Sequence, residues 1–203
     1  MVKPVLHFLL LFPAVFLVYG FFAETIGINP VEAMTHVTGE WALRILLLSL
    51  AITPLARITR SGWLIQLRRL VGLYCFFYAI LHFSIYLVFD LSLDFGFLLE
   101  DILDRPYITV GFLAFVVLTL LAVTSPIRIR QKMAHTVITW NRLHQLVYAA
   151  GILTIVHFLW ITRVDDTEPL IYALILSLLL GYRIHAAYRK NYKRQPNSPA
   201  LYQ

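Results

Sequence analysis

The chain has 203 residues, 60% of them hydrophobic and only 14% charged, against about 25% charged in an ordinary soluble domain. A mean hydropathy of +0.75 makes an integral membrane protein the working class, and the apolar and aromatic content excludes disorder. Cys75 is the only cysteine, so no intrachain disulfide can form. The net charge of +6 would suit nucleic acid, but in a membrane protein basic residues mark the cytoplasmic loops.

A bilayer core of roughly 30 Å takes about 20 apolar residues as a helix. Six stretches approach that length: residues 5–23, 41–56, 70–89, 107–125, 143–162 and 170–185. The first has Phe21, Phe22, Ala23 and Glu24 at its far end rather than a small-residue cleavage site, and is expected to be a retained span. Pro106 and Pro169 sit just before spans and Pro126 just after one, where proline suits helix boundaries. Pro13 and Pro54 lie inside spans and are expected to kink them. The fold class expected is an all-α integral membrane protein, a bundle of six transmembrane helices. Residues 1–35 would form the first span and its outer loop, 36–185 the core, and 186–203 a basic tail.

The charges sort by loop. All 11 acids fall after spans one, three and five: Glu24, Glu32 and Glu40; then Asp90, Asp94, Glu100, Asp101 and Asp104 beside Arg105; then Asp165, Asp166 and Glu168 beside Arg163. The alternate loops and the termini carry Lys and Arg with no acid among them. This positive-inside pattern places both termini in the cytoplasm. It also argues against nucleic acid, because the bases are spread over four segments facing lipid headgroups. No P-loop, nucleotide fingerprint or internal repeat is present.

Ionisable groups inside a span are costly and mark function by default. Here they are histidines: His82 in span three, His144 and His157 in span five. Neutral imidazole is a common metal ligand, and axial histidine holds haem iron. Without C-x-x-C-H any haem would be b-type. Spans three and five run in the same direction, and at 1.5 Å per residue His82 and His157 both rise about 18–21 Å from the cytoplasmic side. They are level, so one haem could be clamped between them. His144 lies about 20 Å lower. At its level span three offers Arg68 and Arg69, which are poor metal ligands but good partners for propionate, phosphate or a quinone oxygen. The competing reading for each histidine is a hydrogen bond to a neighbouring helix.

Other residues divide similarly. Arg44 could neutralise a haem propionate, or pair with Glu40 at i,i+4. His7 and His185 are read as interfacial, His36 as a surface group of the first outer loop, and His135 as solvated. Gly39, Gly72, Gly111 and Gly151 suit close helix approach, and a flat haem could use the same space. Cys75 is read as packing.

The runs HVTGEWALRILLLSLAITPLAR (36–57), RRLVGLYCFFYAILHFSIY (68–86), RPYITVG (105–111), LLAVTS (120–125), WNRLHQLVY (140–148) and HFLW (157–160) resemble the MsrQ family. These are haem-binding membrane subunits of the bacterial periplasmic methionine sulfoxide reductase system, within the wider ferric-reductase-like transmembrane group. The resemblance extends over about residues 36–182. It implies an electron-transfer subunit of the bacterial inner membrane, distinct from the catalytic subunit. With haem b and FMN, such a subunit passes electrons from the quinone pool to a periplasmic molybdopterin-dependent methionine sulfoxide reductase. The family's haem histidines fall on His82, His144 and His157, and its paired arginines on Arg68 and Arg69. FMN rests on the resemblance alone.

Two other classes compete with this reading. A transporter would call for carboxylates within spans, broken helices or an inverted repeat, whereas every acid lies outside the spans. A ferric or other metal reductase would normally need a cytosolic flavin and nicotinamide domain, in this chain or in a partner, and these 203 residues show no sign of one.

Overall fold

A computed structural model describes residues 2–133, 139–162 and 167–192. Every regular element among them is helical. In chain order they are α1 (Val2–Phe22), α2 (Pro30–Ile58) and α3 (Leu64–Ile85), the last running on through a π-helical turn (Tyr86–Asp90). Then come α4 (Phe95–Asp104), α5 (Pro106–Val123), α6 (Ile127–Lys132), α7 (Trp140–Leu143), α8 (Leu146–Ile161) and α9 (Glu168–Tyr192). Six units are long and apolar enough to cross a bilayer: α1, α2, α3 with its π turn, α5, α7–α8 and α9. His135, Arg163, Asp165 and Asp166 lie outside the described residues.

The bundle is organised around α2. Of its apolar window 56% is buried, against 22% or less in the other five units, so α2 is the central helix and the others turn apolar faces outward. Ile45 and Leu46 of α2 cluster with Val71, Cys75 and Tyr78 of α3 and Ala150 of α8, while Leu43, Leu47 and Leu50 of α2 cluster with Ile155 of α8 and Leu176 of α9. α5 packs chiefly on α8, and α9 on α8 and α2. Gly151 on α8 admits Leu176 of α9, whose Cδ1 lies 3.2 Å from where a Cβ would stand.

The helices extend further than hydropathy indicates. α2 begins 11 residues before the apolar run, because Asn29 caps it, Pro30 opens it and Glu32 occupies its first turn. His36 is therefore helical rather than in a loop. The acidic segment after α3 carries α4, capped by the Asp94 carboxylate, which accepts from Gly96 N (2.8 Å) and Phe97 N (3.2 Å). The fifth span is broken at His144 and Gln145, between α7 and α8.

Each internal proline becomes a docking point. Next to Pro13, the Tyr78 hydroxyl donates to the Leu10 carbonyl (2.8 Å) and accepts from Ala14 N–H (3.1 Å). It is thus inserted into the i,i+4 ladder of α1. Pro54 has no N–H to give the Leu50 carbonyl. Arg183 of α9 approaches that carbonyl instead, Nη2 to O 3.5 Å, with its guanidinium 5.2 Å over the Tyr148 ring.

Candidate functional site

His82 projects from α3 and His157 from α8. Their ring centroids are 6.2 Å apart and the ring planes stand at 85°. Both line one cavity of about 830 Å³ between α2, α3, α5 and α8. Its deep end is apolar, formed by Leu46, Cys75, Ala79, Ala114 and Leu118. Its exposed side, at the π turn and α4, carries Asp90, Asp94 and Arg105 and is taken as the mouth.

The two imidazoles are held in the same way. His82 Nδ1 donates to the Thr35 carbonyl of α2 (2.9 Å), and His157 Nδ1 to the Tyr107 carbonyl of α5 (2.7 Å). A carbonyl can only accept, so in each ring Nδ1 carries the proton and Nε2 keeps its lone pair. Metal-ligating histidines are oriented in this manner, one nitrogen on a backbone carbonyl and the other on the metal.

Four residues beyond each carbonyl, on the same helix, stands a glycine. A Cβ on Gly39 would lie 3.0 Å from His82 Nδ1, and one on Gly111 would lie 2.5 Å from His157 Cε1. A carbonyl whose i+4 neighbour has no side chain is open to a ring from another helix. The space these two glycines leave is filled by the histidines themselves.

The separation suits one shared metal ion. Two metal–imidazole bonds of about 2 Å each, plus the distance from each nitrogen to its ring centre, sum to ~6 Å. Among the described residues no group of three or more His, Cys, Asp or Glu could hold a bare ion. A metal held by these two nitrogens needs further donors, and a tetrapyrrole supplies four.

His144 lies elsewhere. It caps the end of α7, does not line the cavity, and stacks on Trp140 at 3.8 Å between centroids and 26° between planes. The Thr124 hydroxyl donates to the Leu120 carbonyl (2.7 Å), which leaves its oxygen to accept from His144 Nε2 (3.2 Å). Trp140 Nε1 donates to the Thr124 carbonyl (2.9 Å), and Arg130 covers the indole at 4.8 Å. Arg69 Nε reaches the neighbouring Ser125 hydroxyl (3.3 Å), and Arg68 is within electrostatic range of His144. The structure thus gathers His144, Arg68 and Arg69 around the end of α5, away from His82 and His157. Arg44 joins neither group. It pairs with Glu40 (2.8 Å) and donates through Nε to the Tyr172 hydroxyl (2.7 Å), tying α2 to α9.

Three cavity residues carried no signal as site residues in the sequence. Tyr86 donates to Asp101 Oδ2 (2.7 Å), and Arg105 Nε pairs with Asp101 Oδ1 (3.3 Å). Arg105 lies outside the spans. Hydrogen bonding to Tyr107 and the Asp101 charge raise its pKa, so it stays cationic.

The ferric reductase like transmembrane component family matches residues 38–155, a segment that begins beside Gly39 and takes in both His82 and His144. Over 188 residues the chain is 43% identical to the protein-methionine-sulfoxide reductase heme-binding subunit MsrQ of Xanthomonas campestris pv. campestris (strain 8004), covering 90% of this chain and 85% of that relative. The chain belongs to the MsrQ family. The MsrQ of Xanthomonas axonopodis pv. citri (strain 306) is 45% identical over 162 residues, 80% of this chain and 73% of that one. The MsrQ of Herminiimonas arsenicoxydans is 41% identical over 191 residues, 91% and 87% respectively. Six membrane-crossing helices and a transmembrane family make this a multi-pass membrane protein.

Proposed function

We propose that this chain is a b-type cytochrome subunit that carries electrons across a bacterial inner membrane, from the quinone pool toward a periplasmic molybdopterin-dependent methionine sulfoxide reductase. The observation that carries this reading is the opposed pair His82 and His157, each with Nδ1 donating to a backbone carbonyl and Nε2 left as a ligand. Relatives named as heme-binding subunits at 41–45% identity support the choice of haem.

The residues divide the work as follows. His82 and His157 hold the iron from α3 and α8. Thr35 and Tyr107 fix the tautomers and ring directions through their carbonyls, and Gly39 and Gly111 admit the rings. Leu46, Cys75, Ala79, Ala114 and Leu118 keep water from the inner end of the cavity. When bound, the haem iron supplies one-electron redox chemistry. His144, Arg68 and Arg69 form a second, lower group suited to an anionic or quinone-like partner, and FMN or a quinone is the reading there. The charge asymmetry of the loops supports cytoplasmic termini, which puts this group on the cytoplasmic side and the His82–His157 cavity toward the periplasm.

The test is an absorption spectrum of the purified protein, with haem counted per chain by pyridine haemochrome and reduction driven by a quinol analogue. A low-spin b-type spectrum reducible by quinol is expected. A protein with no Soret band would overturn the reading.

A further inference from the structure

The cavity is amphipathic along its length. Glu40, Asp90, Asp94 and Asp101 line it toward the mouth, and Arg105 is its one Lys or Arg among the described residues. A tetrapyrrole such as haem b is amphipathic too, with an apolar macrocycle and two carboxylates on one edge. Buried charge must be paired, so the carboxylate edge belongs at the polar mouth and the macrocycle at the apolar end. There it meets four protein carboxylates, the His36 imidazole and one guanidinium, and the guanidinium is the one group of these that is cationic at every working pH.

We infer that Arg105, positioned by Asp101 and Tyr86, is the anchor for the haem propionates at the mouth of the His82–His157 cavity. This rests on the haem reading above. Asp101 engages Arg105 through Nε (3.3 Å), and Arg has five donors, so further donors remain for a carboxylate. Tyr86 holds the other Asp101 oxygen at 2.7 Å and keeps that carboxylate from turning away. The three residues come from separate elements: the π turn, α4, and the junction of α4 and α5. Tyr86 is four residues beyond His82, and Arg105 two residues before Tyr107, whose carbonyl orients His157. The anchor is therefore built on the same backbone segments that set both ligands. Arg44, the other arginine near this level, is committed to Glu40 and Tyr172 and does not line the cavity.

The test compares two haems in one protein. The full chain in nanodiscs is reconstituted with haem b or with haem b dimethyl ester, whose carboxylates are masked. Wild type, Arg105→Gln, Arg105→Lys and Asp101→Asn are compared by haem transfer to excess apomyoglobin and by midpoint potential. With haem b, Arg105→Gln should release haem about fivefold to tenfold faster, as expected for loss of a charge-assisted hydrogen bond at a partly exposed site, and its potential should fall. Arg105→Lys should recover part of both, and Asp101→Asn should raise the potential. With the dimethyl ester the wild-type and Arg105→Gln proteins should release haem at the same rate. Equal effects of Arg105→Gln on the release of both haems, or none on either, would overturn the anchor, since a merely structural role at the α4–α5 junction does not distinguish them. If Arg105→Gln fails to accumulate, the Arg105→Lys comparison between the two haems decides by the same criterion. A wild-type chain that takes up neither haem would instead refute the haem reading itself.

Discussion

His157 and His144 lie on one span, 13 residues apart, yet their surroundings differ in kind. His157 sits within a continuous helix, faces a second imidazole, and donates to a backbone carbonyl made accessible by a glycine. His144 caps a broken helix, stacks on an indole, and has Nε2 on a threonine hydroxyl. The contrast teaches that a histidine in a span is not defined as a ligand by depth alone. The decisive feature is what its other nitrogen does. In His82 and His157 the backbone takes Nδ1 and frees Nε2, whereas in His144 it is Nε2 that meets a protein group, the Thr124 hydroxyl.

The largest effects should come from breaking the upper pair. His82→Ala or His157→Ala should each abolish most of the low-spin haem signal, while His144→Ala should leave it in place. Haem content and the visible spectrum of the three variants check this, and retention of the full low-spin signal in either of the first two would end the pairing.

Next come the glycines. Gly111→Ala forces a Cβ to 2.5 Å from the His157 ring, closer than any real contact, whereas Gly39→Ala meets His82 at 3.0 Å. Gly111→Ala should cost haem affinity by roughly 10–100-fold, in the range for loss of a ligand-orienting neighbour, and Gly39→Ala by less. Gly72→Ala meets only Ser49 Oγ at 3.7 Å and should be harmless. Haem retention across the three variants measures the order. Equal retention in all three would show that the close approach does not set the ligands.

The lower group is sharpened by Arg68→Gln with Arg69→Gln. Topology should survive on Arg57, Arg60 and the other basic loops. Quinol-driven reduction or flavin retention should fall while the His82–His157 signal remains. Unchanged electron transfer and cofactor content would reduce both arginines to topology signals.

The smallest effect on haem should come from Tyr78→Phe, because Tyr78 lies on α3 but does not line the cavity. It removes two hydrogen bonds to α1 and should cost about 1–2 kcal/mol of stability, read by thermal unfolding, with the haem spectrum unchanged.

Much of this was legible beforehand, for physical reasons. Long apolar runs must be helices in a bilayer, so all six units were visible, and equal rise along two parallel spans brought His82 and His157 to one level. Their acceptors were not visible, because every residue has a carbonyl and nothing in the identity of Thr35 or Tyr107 marks it as one that will be used. The glycine four residues on was the available signal, read as helix approach or as space for a flat haem rather than as room for a histidine ring. The early start of α2 was written in Asn29, Pro30 and Glu32, but hydropathy does not register a polar helix end. Arg105 looked like a stray base in an acidic loop until the π turn and α4 brought Tyr86 and Asp101 beside it.

The most direct test of the central claim is the electron paramagnetic resonance spectrum of the oxidised protein, because it reports both the number of axial imidazoles and the angle between them. The 85° between the His82 and His157 planes leads to a low-spin signal of the strongly anisotropic type given by near-perpendicular imidazoles, lost in His82→Ala and in His157→Ala. A high-spin signal in the wild-type protein, or a low-spin signal that survives loss of either histidine, would contradict the account.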